Sequence, residues 1–332
     1  KKKNLGNIFL SKYNLNKKIK FHFIEHHLSH IASAFYPSEF KKSNGLSIDG
    51  SGDFVSLAYA ECFNNKITIK EKVNFPDSLG IFYHAMTQFL NFNNYGDEYK
   101  IMGLAAYGDP IYFKKIFFNL FIENKKRFFN LNLNFFYHHK QNFVYIAYEN
   151  LLIDQIYNSK LDELFYKEKN EDKKFKENFA SSIQNIYEYF FKIIIENISK
   201  KNFSKNLVFS GGCALNSSAN RLITNNNDLF EKVFINYAPG DNGGAIGAAF
   251  VVAANHNQKI QNSKNPYVGS EFDNDYILSL LKSNIYKEKL NFTFEQNEKK
   301  IFEIASKYIS ESKVIGWFQD KMKFGPRAIG NR

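Results

Sequence analysis

Twice in this chain a short apolar run breaks directly into glycine: residues 45–48 lead into Asp49-Gly50-Ser51-Gly52-Asp53, and residues 207–209 into Ser210-Gly211-Gly212. Apolar runs of that length bounded by glycine read as buried strands, and glycine at their ends lets a ligand or another backbone come close. Between them the apolar period changes. Phe175, Phe179, Ile183, Ile186, Phe190 and Ile194 advance by three or four, which is one face of a long amphipathic helix. A third short strand is expected at 233–235, followed by a small-residue helix over 243–254. Strands alternating with helices point to an α/β layer fold.

The remaining sequence fills in this plan. Residues 21–24 read as a strand entering a helix that starts near His26 and reaches about Phe35, before Pro37. Residues 45–48 and 54–62 read as strands joined by the glycine-rich tip, with a third strand near 67–75. Helices are expected over 78–89 and 98–107, with a turn over 91–97. The aromatic, Lys-rich stretch of about 110–174 reads as a helical insertion carrying His138-His139 on its surface. A polar, Asn-rich linker at 256–266 divides the chain into 1–262 and 263–332. The second part is expected to hold helices over 273–282 and 297–312 and a closing strand at 314–318.

Composition narrows the function classes. No apolar run approaches the roughly 18 to 20 residues of a membrane span, so no membrane association is expected. Two cysteines, Cys62 and Cys213, are too few for a disulfide scaffold in 332 residues and suit a reducing compartment, the cytoplasm. The net charge of +11 comes from 40 Lys and 4 Arg scattered among Asn, Ile, Phe and Tyr, a mix that looks like codon bias. Specific nucleic-acid binding favours clustered Arg, and is not expected. The start at Lys1 lacks both Met and the apolar run of a leader, and the end at Arg332 is abrupt, as expected of a piece of a longer protein.

Four of the eight histidines fall within Phe21-His22-Phe23-Ile24-Glu25-His26-His27-Leu28-Ser29-His30. On a helix His26 and His30 share a face at about 5 to 6 Å between Cβ atoms, and His27 points elsewhere. Such a pair is either an ordinary polar face or half of a metal site; carboxylate partners favour the metal. Asp49 at a strand end and Asp241 in Pro239-Gly240-Asp241-Asn242-Gly243-Gly244 are candidate partners. Each has a plainer reading, Asp49 in a tight Gly and Asp turn and Asp241 as a helix N-cap. Gly50, Ser51, Gly52, Gly211 and Gly212 would let phosphate lie against backbone, and Asn216 would read a ribose or base.

These segments, with Ser78-Leu79-Gly80, Glu98-Tyr99-Lys100-Ile101-Met102-Gly103-Leu104-Ala105, Gly316-Trp317-Phe318-Gln319 and Phe324-Gly325-Pro326-Arg327-Ala328-Ile329-Gly330-Asn331-Arg332, resemble the nodulation-protein and antibiotic O-carbamoyltransferase family. The resemblance implies an actin-like ATPase (ribonuclease H-like) domain, similar to the universal tRNA threonylcarbamoyl-transferase and shortened at its N-terminus. It also implies the beginning of a second α/β domain that makes carbamoyl adenylate from carbamoyl phosphate and ATP. Carried over residue by residue, it makes His26, His30, Asp49 and Asp241 the ligands of a divalent metal, iron(II) foremost. Gly50, Ser51, Gly52, Gly211, Gly212, Asn216 and Lys100 would line the nucleotide, with Mg2+, and Arg327 would bind phosphate. The acceptor would be a hydroxyl of a sugar or other small molecule, and Glu98 or Asp97, each also suited to capping a helix, would take its proton. Asp320-Lys321-Met322-Lys323 departs from the family's Gly-Arg-Met-Glu, which puts phosphate handling there in doubt. The alternatives are a transferase acting on tRNA and a non-catalytic nucleotide-binding regulator.

Overall fold

The computed structural model describes residues 2–15, 19–94, 96–122, 128–140, 155–224, 228–260, 264–283 and 291–326. It divides into two compact units, Lys1–Asn262 and Ser263–Arg332.

The first unit is built on one mixed sheet. Helices α1 (Lys2–Lys12) and α2 (His26–Phe35) precede strands β1 (Lys42–Gly52), β2 (Val55–Phe63) and β3 (Lys66–Asn74). Next come α3 (Leu79–Phe89), α4 (Glu98–Ala105), α5 (Lys114–Phe118), the ribbon β4 (Phe121–Ile122) and β5 (Asn130–Leu131), and α6 (Ser159–Leu164) and α7 (Tyr166–Glu171). The unit finishes with α8 (Phe175–Lys200), β6 (Asn206–Ser210), α9 (Ser217–Thr224), β7 (Lys232–Ile235) and α10 (Asp241–Asn255). The sheet order is β3-β2-β1-β6-β7. β1 to β3 form an antiparallel meander, and β6 and β7 join β1 in parallel.

Side chains alternate along each strand, and here both faces are covered. Leu57 and Tyr59 of β2 and Leu207 and Phe209 of β6 enter the large core beneath α3 and α8. Ala58, Ala60 and Cys62 of β2 and Val208 of β6 enter a smaller core with Ile31, Ala34 and Phe35 of α2. α10 closes over α2. A Cβ on Gly247 would stand 1.8 Å from the Ser29 carbonyl oxygen, so only glycine permits this helix crossing.

Several expectations are corrected. Residues 21–24 pair with no strand among the described residues, and the chain enters α2 through caps instead: Glu25 accepts from Leu28 N–H at 2.6 Å. β1 continues through the glycines to Gly52, its register breaking between Ile48 and Gly52, so the turn shrinks to Asp53-Phe54. The small-residue helix starts at Asp241 itself, with Gly240 as its N-cap. The insertion is not purely helical, because it contains the β4–β5 ribbon. Its phenylalanines complete the core: Phe117 and Phe165 lie 5.0 and 4.9 Å from Phe179 of α8, ring centre to ring centre. His138 is buried, bonded through Nε2 to the Pro76 carbonyl at 2.9 Å, because this insertion packs inward.

In the second unit α11 (Asn274–Lys282) and α12 (Glu298–Ser310) are present, and neither contains a buried residue. The strand expected at 314–318 has no partner among the described residues, where the unit's pairing is a single bridge between Tyr267 and Lys323. Among the described residues, no helix is long and apolar enough to cross a membrane.

Candidate metal centre

α2 begins at His26, so His26 and His30 project from its first turns on one face, and His27 turns inward to the Ser47 hydroxyl and Val55 carbonyl, each 2.9 Å away. Two carboxylates satisfy the otherwise open N–H groups of that first turn: Glu25 at Leu28, and Asp53 of the hairpin turn, which accepts from His26 N–H at 3.1 Å. The hairpin is thereby pinned to the helix that carries the histidines.

Opposite them stand Asp49 on β1 and Asp241 at the start of α10. The Asp49 Oδ2 atom is 2.9 Å from His26 Nε2 and 3.1 Å from His30 Nε2, and the two Nε2 atoms are 3.0 Å apart. Asp241 Oδ1 lies 3.5 Å from His30 Nε2 and 3.8 Å from His26 Nε2. All four donor atoms fall within 4.8 Å of one another. Donors bound to one ion at about 2.1 Å stand roughly 3.0 to 3.4 Å apart, so the set fits a divalent transition metal. Without a cation, two imidazole nitrogens at 3.0 Å can share at most one proton between them.

Around this point the glycines have tasks of their own. Asp49 Oδ1 accepts from Gly50 N–H at 2.8 Å and from Gly212 N–H at 3.2 Å, which fixes the carboxylate and aims Oδ2 at the histidines. The His26 ring lies on Gly52, where a Cβ would come within 2.0 Å of it. Gly211, with φ of +89°, passes so close that a Cβ would be 2.2 Å from the Ile48 carbonyl oxygen. Ser51 is half-buried in the same irregular stretch. Burial alone would push the Asp49 carboxyl up, but hydrogen bonds from His26 and His30 hold it well below the usual carboxylate range. For His30 burial acts downward and is outweighed by Asp241 and Asp49, which raise it to about 9. The centre opens into a cleft of about 330 Å³ lined by Ile24, His26, Ser29, His30, Asp53, Asp241 and Gly244.

The other expected site residues are distributed differently. Asn216 is engaged internally: its Oδ1 accepts from Ala219 N–H, and its amide exchanges hydrogen bonds with Gln184 at 3.0 and 3.1 Å. Asp97 is bonded to Lys100 at 2.7 Å and to Asn94, which commits both residues to one another. Glu98 bonds His84 Nδ1, and the His84 Nε2 atom is buried without a partner among the described residues. Burial raises the Cys213 thiol, and the charges of Asp49 and Glu98 add to that effect. Arg327 lies outside the described residues. Sequence reasoning missed His84, whose one signal is its place four residues after Gly80. That glycine abuts the Asp49 backbone, where a Cβ would be 2.8 Å from its carbonyl oxygen. It also missed the capping role of Asp53.

Residues 3–250 match the family described as the carbamoyltransferase N-terminus. The chain belongs to that family. Among curated relatives, nodulation protein NolNO of Sinorhizobium fredii is 29% identical over 319 residues, covering 93% of this chain and 42% of that protein. Nodulation protein NolO of Bradyrhizobium diazoefficiens is 29% identical, with 93% and 52% covered. The uncharacterized protein sll1178 of Synechocystis is 32% identical over 321 residues, with 93% and 49% covered. The chain thus spans about half the length of the curated relatives it matches. A crystal structure of full-length HypF in a phosphate- and nucleotide-bound form aligns at a TM-score of 0.37 and 15% identity. It covers 73% of this chain and 44% of that one, a likeness too slight to carry an argument. For a carbamoyltransferase N-terminus, His26, His30, Asp49 and Asp241 lie wholly within the matched span.

Proposed function

We propose that residues 1–262 are the transfer domain of an ATP-dependent O-carbamoyltransferase with an actin-like fold. The whole protein would form carbamoyl adenylate from carbamoyl phosphate and ATP, then pass the carbamoyl group to a hydroxyl of a sugar or similar small molecule. The observation that carries this reading is the convergence of two imidazoles and two carboxylates on one point inside a carbamoyltransferase-family chain.

A divalent ion held there, iron(II) foremost, would supply Lewis-acid polarisation of the carbamoyl carbonyl. The chain's own residues do the remainder. Gly50 and Gly212 orient Asp49, and the hairpin caps hold His26 in line. Of the two candidate bases, Asp97 is occupied by Lys100, which leaves Glu98, oriented by His84, to take the proton of the acceptor hydroxyl as its oxygen bonds to the carbamoyl carbon. AMP then leaves with the electron pair of the broken C–O bond. Nucleotide contacts from Gly211 and Arg327, and use of Mg2+, remain part of the proposal.

A small-molecule acceptor is favoured over tRNA because the chain has four arginines among its 332 residues, scattered in sequence, and Arg221 is bonded to Glu188 at 2.6 Å. Full-length protein incubated with labelled carbamoyl phosphate and ATP, then with cell extract divided into glycan and RNA fractions, tests the scheme. The expected result is pyrophosphate release that requires carbamoyl phosphate, with label on a glycan or small molecule. Label entering tRNA alone, or pyrophosphate released without carbamoyl phosphate, would contradict it.

A further inference from the structure

We propose that Phe54 is an acceptor-binding residue: an aromatic platform at the lip of the cleft for a saturated, hydroxyl-bearing ring of the pyranose type. This rests on the reading of that cleft as the transfer site.

Asp53 and Phe54 are the whole turn between β1 and β2, and both have positive φ, +50° and +64°. Two-residue hairpin turns of this kind ordinarily use Asn, Asp or Gly, whose small or locally bonding side chains tolerate the left-handed region. A bulky aromatic there is an outlier. Nor does the ring recover the strain by packing. Phe54 is 84% exposed, and it forms no ring pair among the described residues, where the phenylalanines of the insertion are stacked into the core. Its backbone carbonyl accepts from Phe75 N–H at 3.0 Å, so the turn is held in place while the side chain stays in water. Strained backbone and a wasted apolar ring together, in a well-anchored turn, mark a position kept for binding.

The location says what is bound. Asp53, the preceding residue, lines the cleft and holds the His26 N–H, so Phe54 follows directly on the cleft wall in the chain. The negative face of a phenyl ring attracts the weakly positive C–H face of a saturated sugar. The cleft itself is lined by the carboxylates of Asp53 and Asp241, groups that accept hydrogen bonds from hydroxyls. Phenylalanine also has no polar atom with which to read a base edge. The combination suits the incoming hydroxylated acceptor better than the nucleotide.

The test is saturation-transfer NMR on full-length protein with the methyl glycosides of glucose, mannose and N-acetylglucosamine, and with adenosine. At least one glycoside should receive saturation on its ring C–H protons. Phe54→Ala should weaken its affinity about three- to ten-fold, Phe54→Trp should retain it, and the melting temperature of Phe54→Ala should not fall. The proposal is overturned if no glycoside receives saturation, if Phe54→Ala leaves transfer unchanged, or if adenosine alone depends on Phe54. A lower melting temperature in Phe54→Ala would overturn it too, by showing that the ring packs. Metal content measured on the same wild-type samples separates the two readings, because protein that binds a glycoside through Phe54 but no metal would sink the metal centre and leave the platform standing.

Discussion

His138 shows how burial can dominate a titration, here against an opposing hydrogen bond. It sits under the insertion, bonded to the Pro76 carbonyl, and burial pushes it down to about 4 from the ordinary 6.5. The unfolded chain therefore takes up a proton at His138 before the folded one does. Stability from this site is complete above pH 6.5 and drains away as pH falls toward 4, by about 3 kcal/mol at most. Urea unfolding at pH 7.5 and 4.5 should show the His138→Gln variant losing clearly less stability between the two than the parent protein. Equal losses would mean that His138 is not the neutral, buried group described. Its position was illegible in the sequence because a His pair in a Lys-rich stretch gives no hint of facing inward. The shared face of His26 and His30 was legible, since a spacing of four puts two side chains on one side of a helix. The coupling of His84 to Glu98 was not, because it joins two helices.

At the scale of elements, glycine separates two kinds of helix. Gly103 in α4 is surrounded by open space, with nothing within 4 Å of a Cβ. Gly103→Ala should therefore stabilise the protein by about 0.5 to 1 kcal/mol through helix propensity. Gly247 in α10 has no such room, and Gly247→Ala should destabilise by about 1 to 3 kcal/mol and weaken metal binding by moving Asp241 away from His30. Thermal melts with metal analysis on both variants check the contrast, and similar shifts in the two would contradict the close crossing of α2 and α10. The sequence showed α8 and the parallel strands clearly, through a 3.6-residue period and short apolar runs. It misplaced the hairpin turn because glycine is as good a signal for a strand irregularity as for a turn, and here Gly50 and Gly52 lie within β1. Residues 21–24 and 314–318 are apolar enough for strands but have no neighbour to pair with among the described residues, and pairing is a tertiary fact.

For the whole molecule, the two units differ in kind. The first has two cores, one on each face of its sheet, whereas the helices of the second bury none of their residues. The matched family span ends at residue 250, within the first unit, so the proposed transfer chemistry and the candidate metal centre share one folded body. That convergence was legible as four residue types in order, but not as distances: Asp49 and Asp241 meet only because β1 is central in the sheet and α10 folds back over α2. The central claim is that these four side chains hold one metal ion. Anaerobic reconstitution with iron(II), followed by elemental analysis, measures it directly on the wild type and on His30→Ala and Asp49→Asn. The account predicts about one ion per chain in the wild type and near none in either variant, with melting temperatures showing both variants folded. A metal-free wild type, or variants that hold metal as well as it does, would contradict it.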